Sequence, residues 1–182
     1  MPIDARDRES LPVVLVIDDQ ETNLRLVGQV LALAGYDIAA ALDGEEGLAL
    51  AKNAGPDLIL LDMRMRGMDG FEVLARLNEA AETRAIPVIF LTAADDRDSL
   101  IRAFSNGAVD YIVKPFVAEE LIARVRVHID LKRARDRIVR VAAERQRANE
   151  IVSHDLRNHF GNILFAAHML REDGEDAEQR RR

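Results

Sequence analysis

Five short apolar runs, each too short for a helix, alternate along the front of the chain with segments of helical spacing. The runs are Pro12 to Ile17, Tyr36 to Ala41, Leu58 to Leu61, Ile86 to Leu91 and Val109 to Val113. Between them lie Thr22 to Ala34, Gly44 to Asn53, Gly70 to Ala81 and Arg97 to Asn106, which end near signals such as Gly35, Gly55 and Gly107. Parallel strands need a long crossover between them, usually a helix, so this alternation predicts an α/β fold: a five-stranded, doubly wound parallel sheet. Directly after the runs stand polar residues: Asp18 and Asp19, Asp62, Thr92 and Lys114. In an open parallel sheet the carboxyl ends of the strands line one edge, where ligands bind. Carboxylates, a hydroxyl and an ammonium are therefore expected in one pocket.

The 48% hydrophobic content is ample for a core, and the absence of cysteine excludes disulfides, thiolate metal sites and a cysteine nucleophile. Met1 to Ser10 are polar and charged, without the apolar segment of a signal peptide, and no run approaches the ~18 apolar residues that span a bilayer. A cytoplasmic protein with no membrane contact is expected. Charge is unevenly shared: residues 1–116 hold 20 acids against 11 bases, and residues 117–182 hold 12 acids against 14 bases. The acidic front is a poor nucleic-acid surface. The arginines of the back are interspersed with acids and lack interleaved aromatics, which suits a solvated helix face better than a nucleic-acid groove.

From Val117 to Leu170 there is no proline and a single glycine, Gly161, so nothing forces a helix to break. At ~1.5 Å per residue such a helix would reach roughly 80 Å, too long to pack on one small domain. Leu121, Ile122, Val125 and Ile129 form a face suited to the sheet. Beyond them Leu131, Ala134, Ile138, Val141, Arg145, Ala148 and Val152 recur at alternating spacings of three and four, the seam of a coiled coil. Arg145 on that seam weakens it or sets its register. The stripe then shifts phase to Leu156, Phe160, Ile163, Ala167 and Leu170. The expected organisation is a flexible N-terminus (1–10), an α/β domain (11–130), a coiled-coil linker helix (131–152) that makes a homodimer, a further helical segment (153–170) and a disordered tail (171–182).

The constellation at the strand ends resembles the receiver domain of bacterial two-component response regulators over about residues 11 to 130. The resemblance rests on Asp18-Asp19 with Asn23 soon after, Asp62, Thr92-Ala93-Ala94 and Lys114-Pro115-Phe116, supported by Met65, Met68, Asp69 and Gly70. One residue departs from it: Arg66 stands where the family usually has proline. Taken singly, an Asp after a strand is an ordinary helix cap, Thr92 a loop hydroxyl and Lys114 a surface charge; their joint order is what carries the resemblance. Several close carboxylates repel one another unless a cation is present, which calls for a hard metal with oxygen ligands, Mg²⁺. The resemblance implies that Asp19 and Asp62 ligate it directly, Asp18 mainly through water, and the backbone carbonyl of Arg64 as a further ligand. Asp62 would then be the nucleophile that accepts a phosphoryl group. Lys114 would pair with a phosphate oxygen and Thr92 would donate to another, while Tyr111 enters the space that Thr92 leaves, a Thr-Tyr switch. A cis peptide bond before Pro115 would aim Lys114 inward.

A second constellation, Ser153-His154-Asp155-Leu156-Arg157-Asn158, resembles the phosphoacceptor box of sensor histidine kinases. His154 lies about 200° from both Val152 and Leu156 on a helical wheel, facing away from the seam. Asp155 could act as base or orient the ring, and Asn158 stands where the family places water for dephosphorylation. His159 replaces the usual proline, and neither a second antiparallel helix nor an ATP-binding region follows in this sequence. His128, His159 and His168 have no ligand spacing and read as surface or packing residues. The sequence thus supports a phosphorelay protein whose receiver catalyses its own phosphorylation and dephosphorylation on Asp62 and controls a dimeric helical output. Its partners would be a cognate histidine kinase or phosphotransfer protein. One form of this reading is the receiver and first phosphoacceptor helix of a hybrid histidine kinase; the other is a stand-alone response regulator with His154 idle.

Overall fold

The apolar runs form one parallel sheet of β1 Val13–Ile17, β2 Asp37–Ala41, β3 Leu58–Asp62, β4 Val88–Ala93 and β5 Asp110–Lys114, in the order β2-β1-β3-β4-β5. The helices are α1 Glu21–Leu33, α2 Gly44–Ala54, α3 Gly70–Glu79, α4 Arg97–Ser105 and α5 Ala118–Gln179. The structure, a computed structural model, describes residues 11–93 and 97–179, and the side chains of 97–100, 148–149 and 151–179 lie outside that description. The expectation for residues 1–10 therefore falls outside the described residues, as do Ala94 and the seam side chains of Ala148 and Val152.

Parallel strands covered on both faces read as continuous apolar runs, and their alternate residues divide between two cores. Leu15, Ile17, Ile59, Leu61, Val88 and Phe90 face one way, packed with Leu48 of α2 and Val73, Leu74 and Leu77 of α3. Val14, Val16, Leu58, Leu60, Ile89, Leu91 and Ile112 face the other, packed with Leu24, Val27 and Leu31 of α1 and Leu121, Val125 and Ile129 of α5. Each fully buried Leu or Ile is worth roughly 1.5–3 kcal/mol, far more than an exposed ion pair, so these two layers hold the sheet.

Local signals set where the helices next to the sheet edge begin. Asp43 accepts from the Glu46 N–H at 2.8 Å at the start of α2, and the Glu46 carboxylate accepts from the Leu42 N–H at 2.9 Å. Asp69 accepts from the Glu72 N–H at 2.9 Å and starts α3.

Polar contacts tie the first part of α5 to the sheet. Arg124 Nη1 donates to both oxygens of Asp110 at 2.8 and 2.9 Å, and His128 Nε2 lies 3.2 Å from Asp110 Oδ2. Burial alone would raise the Asp110 carboxyl; the Arg124 hydrogen bonds, the Tyr111 N–H and His128 override it and hold the group below its ordinary value. A carboxylate held low stabilises the fold above its ordinary range, and that contribution is lost as pH falls through the lowered value. Asp110→Asn is therefore expected to cost about 1 kcal/mol at pH 7, with the difference closing in acid, as measured by thermal melts across pH. At the amino-terminal ends of the central strands β1 and β3, Asp57 accepts from the Val13 N–H at 3.1 Å, with Arg133 Nη2 at 3.3 Å.

The chain falls into two compact units divided between Ala134 and Arg135, and α5 is one helix through the division. It also continues past Gly161 and Gly174 to Gln179, where composition pointed to a disordered tail beginning at Arg171. A helical glycine costs only about 1 kcal/mol relative to alanine, and with no proline nearby and Glu172, Glu175 and Ala177 as good formers the helix propagates. Leu131, Ile138 and Val141 are 60%, 69% and 57% exposed, so the single chain leaves them uncovered. Among the described residues no helix is long and apolar enough to cross a membrane.

Candidate functional site

Strand order reverses between β1 and β3: the chain passes from β1 outward to β2 and returns to the far side of β1. The helices that follow β1 and β3 lie on opposite faces, which opens a crevice at their carboxyl ends. Asp18 and Asp19 follow β1 directly and Asp62 is the last residue of β3. One oxygen from each of these carboxylates lies within 4.8 Å of the others. β5 ends at Lys114, whose Nζ donates to Asp18 Oδ2 at 2.8 Å and Asp62 Oδ1 at 2.6 Å. The Lys114–Pro115 peptide bond is cis.

Asp18 is fully buried and accepts from the Gln20 N–H at 2.9 Å and from Asn23 Nδ2 at 3.0 Å on each oxygen. Its lone pairs are thus largely engaged with the protein. Asp19 accepts on Oδ2 from both the backbone N–H and Nε of Arg66, each at 3.2 Å.

Burial pushes the Asp62 carboxyl above its ordinary value; Asp18 and Asp19 add to this, and Lys114 opposes it without reversing it. For Lys114, burial works to lower the ammonium, but hydrogen bonds to Asp18 and Asp62 more than compensate and raise it. Asp62 thus stands at the sheet edge as a carboxylate short of positive charge. The set presents oxygen donors only, which fits a hard divalent cation such as Mg²⁺.

Thr92 is buried near the end of β4, and its hydroxyl has the Ala93 carbonyl at 3.3 Å and Met63 Sδ at 3.5 Å as acceptors. It makes no hydrogen bond to the carboxylates here. Tyr111 is half-buried on β5, with Phe104 of α4 edge-on at 5.8 Å between ring centroids. Arg64 lies in the loop between β3 and α3. The strand-end residues therefore collect at one edge, whereas His154, Asp155 and Asn158 lie on α5 with side chains outside the described residues.

Two contacts were not read from sequence. Met63 as an acceptor for Thr92 left no polar signature, since a methionine next to an apolar run reads as core. Arg66 stood out as a departure from the resemblance, but only the fold brings it to Asp19, 47 residues away. A groove of about 620 Å³, lined by Glu45, Lys52, Arg76 and Glu79 among others, lies between α2 and α3. It contains none of the strand-end residues. Its Arg76 is already paired with Glu45 and Glu72 at 2.9 and 2.8 Å.

Comparison with known proteins agrees with this geometry. Residues 14–126 match the response regulator receiver domain. The DNA-binding dual master transcriptional regulator RpaA of Synechocystis is 43% identical over 140 residues, 77% of this chain and 57% of that protein. The response regulator PleD of Caulobacter vibrioides is 44% identical over 113 residues, 62% of this chain and 25% of that protein. The chain thus spans less than two thirds of the length of these relatives. Among solved structures, a putative response regulator from Chloroflexus aurantiacus superposes with a TM-score of 0.64 at 33% identity, covering 66% of this chain and 99% of the other. The Vibrio cholerae chemotaxis protein CheY4 gives 0.62 at 31% identity, covering 64% and 98%. A family match over residues 14–126 and the superposition of these solved receivers lead to one conclusion: this chain belongs to the response-regulator receiver family.

Proposed function

We propose that Asp62 is the phosphoacceptor of this receiver and that its phosphorylation controls a helical output carried by α5. Receiver domains of two-component systems take a phosphoryl group on an aspartate, generally use Mg²⁺ at an acidic pocket, and interact with histidine kinases or phosphotransfer partners. The observation that carries the assignment is the place of Asp62 at the end of β3, its carboxylate gathered with those of Asp18 and Asp19 and held by Lys114. Asp62 ends its strand, its Oδ1 is held by Lys114, and of the two carboxylates that Lys114 contacts it is the less enclosed by protein donors.

Asp19 and Asp62 would hold Mg²⁺, with Asp18 behind them and the Arg64 carbonyl as a further donor; when bound, the ion offsets the repulsion between carboxylate and phosphoryl donor. The protein's own groups then do the positioning. An Asp62 oxygen attacks phosphorus, the new O–P bond forms as the bond from phosphorus to its carrier atom breaks, and the carrier leaves with that electron pair. Lys114, already on Asp62, shifts toward a transferred oxygen, and Thr92 exchanges its weak acceptors for the phosphoryl group. That exchange frees the volume into which Tyr111 turns, so the face of α4, β5 and α5 reads the state of the pocket. Incubation with acetyl phosphate and Mg²⁺ should add one phosphoryl group per chain, mapped to Asp62 by peptide mass; stable addition elsewhere would refute the assignment.

The output we assign to α5 is self-association through Leu131, Ile138, Val141 and Arg145, supported by the exposure of the apolar members. Arg145→Leu should tighten the dimer several-fold in sedimentation equilibrium. A chain that stays monomeric in both forms would exclude this output. The regulators among its relatives favour a regulator's role over that of a kinase front end, and His154 enters the scheme only through its sequence box.

A further inference from the structure

We propose that Arg66 is a displaceable counter-ion that competes with the divalent cation for Asp19, so that this receiver is loaded at higher Mg²⁺ concentration than its carboxylates alone would require. The inference rests on the reading of Asp18, Asp19 and Asp62 as the metal pocket.

Three carboxylates meet at the sheet edge, and Lys114 answers the charge of two of them, Asp18 and Asp62, at 2.8 and 2.6 Å. Asp19 is approached instead by Arg66, which places its backbone N–H and its Nε on the same Oδ2. Both bonds are 3.2 Å, longer than the ~2.7–2.9 Å of a tight charge-assisted pair. The two partners also differ in setting: the Arg66 side chain is 90% exposed and that of Asp19 only 16%. The cation end of the pair is therefore well hydrated and free to swing away, while the carboxylate remains in the crevice. Such a contact is strong enough to occupy Asp19 in the metal-free chain and weak enough for a divalent ion to displace.

Its cost to metal affinity is the energy of an exposed ion pair, which corresponds to about two- to fivefold in dissociation constant. The backbone N–H remains after any side-chain substitution other than proline, so Arg66→Ala isolates the guanidinium. Lys114 is untouched by that change, and so is the carboxylate set.

The test is titration calorimetry of Mg²⁺ into the unphosphorylated full chain, comparing wild type, Arg66→Ala and Arg25→Ala. Arg25 is a control for net charge, since it is exposed and paired with Glu21 on α1 rather than with the pocket. Arg66→Ala should bind Mg²⁺ about two- to fivefold more tightly, with Arg25→Ala matching wild type. Unchanged or weaker binding by Arg66→Ala overturns the proposal, and so does an equal gain in Arg25→Ala, which would make the effect one of bulk charge. If none of the three chains binds Mg²⁺, the metal-pocket reading itself fails, and the competition with it.

Discussion

Asp62→Asn should lose at least about a hundredfold in labelling by acetyl phosphate, and in the metal-free state at neutral pH it should melt above the wild type. The first effect follows from chemistry: the amide oxygen is not a nucleophile at phosphorus, and the remaining carboxylates are occupied by Asn23, Gln20, Lys114 and Arg66. The second follows from linkage. Burial raises the Asp62 carboxyl above its ordinary value, which means that the folded chain binds that proton more tightly than the unfolded one. Stability therefore falls as pH rises from the ordinary carboxylate range through the raised value, and the folded state carries the full cost of the ionised group above that value. Asparagine removes that cost, so the variant's advantage should be present at pH 7, vanish in acid below the carboxylate range, and narrow when Mg²⁺ stabilises the wild type by mass action. Labelling of Asp62→Asn at the wild-type level would exclude Asp62 as the acceptor. A variant less stable than wild type at neutral pH would show that Lys114 needs Asp62 more than Asp62 suffers from burial.

The sheet and the members of its pocket were legible in the sequence because both depend on local pattern. Apolar runs of four to six residues bounded by polar ones can only be buried strands in a chain this regular, and the groups just after them must share an edge. Boundaries were less legible: Thr92 lies inside β4 rather than beyond it, since pairing with β5 continues through Ala93 and Lys114. Contacts between loops were not legible. Arg66 reaches Asp19, and Met63 reaches Thr92, only because β3 lies between β1 and β4, a neighbour relation that no local spacing encodes. The extent of α5 was misread at its end for a related reason: polar composition with one glycine describes a solvated helix as well as a disordered tail, and propagation from the preceding turns separates them.

Gly70→Ala should cost about 3 kcal/mol, a fall of roughly 10 °C in the melting temperature of a receiver-sized domain, although it adds one methyl group at a helix start. Gly70 opens α3, and a Cβ there would drive into the carbonyl oxygen of Asp62 and meet Phe90 Cε1 at 2.9 Å and Met63 Cα at 3.1 Å. Two of those neighbours are backbone, which has no rotamer to change, and Phe90 is fully buried between β4 and α3. Relief requires α3 to move off the sheet or β3 to shift at Asp62 itself. The same substitution at Gly28, in the middle of α1, is the matched control. Its Cβ would find only Ile38 Cγ2, at an ordinary 3.8 Å, and alanine is the better helix former by about 1 kcal/mol. Gly28→Ala should therefore hold or raise the melting temperature while Gly70→Ala lowers it, and phosphoryl labelling of the Gly70→Ala chain, assayed below its melting point, should slow as Asp62 is displaced from Lys114. Equal melting temperatures for the two variants would mean that α3 stands farther from β3 than the close approach at Gly70 allows, and the position of Asp62 would then owe nothing to that glycine.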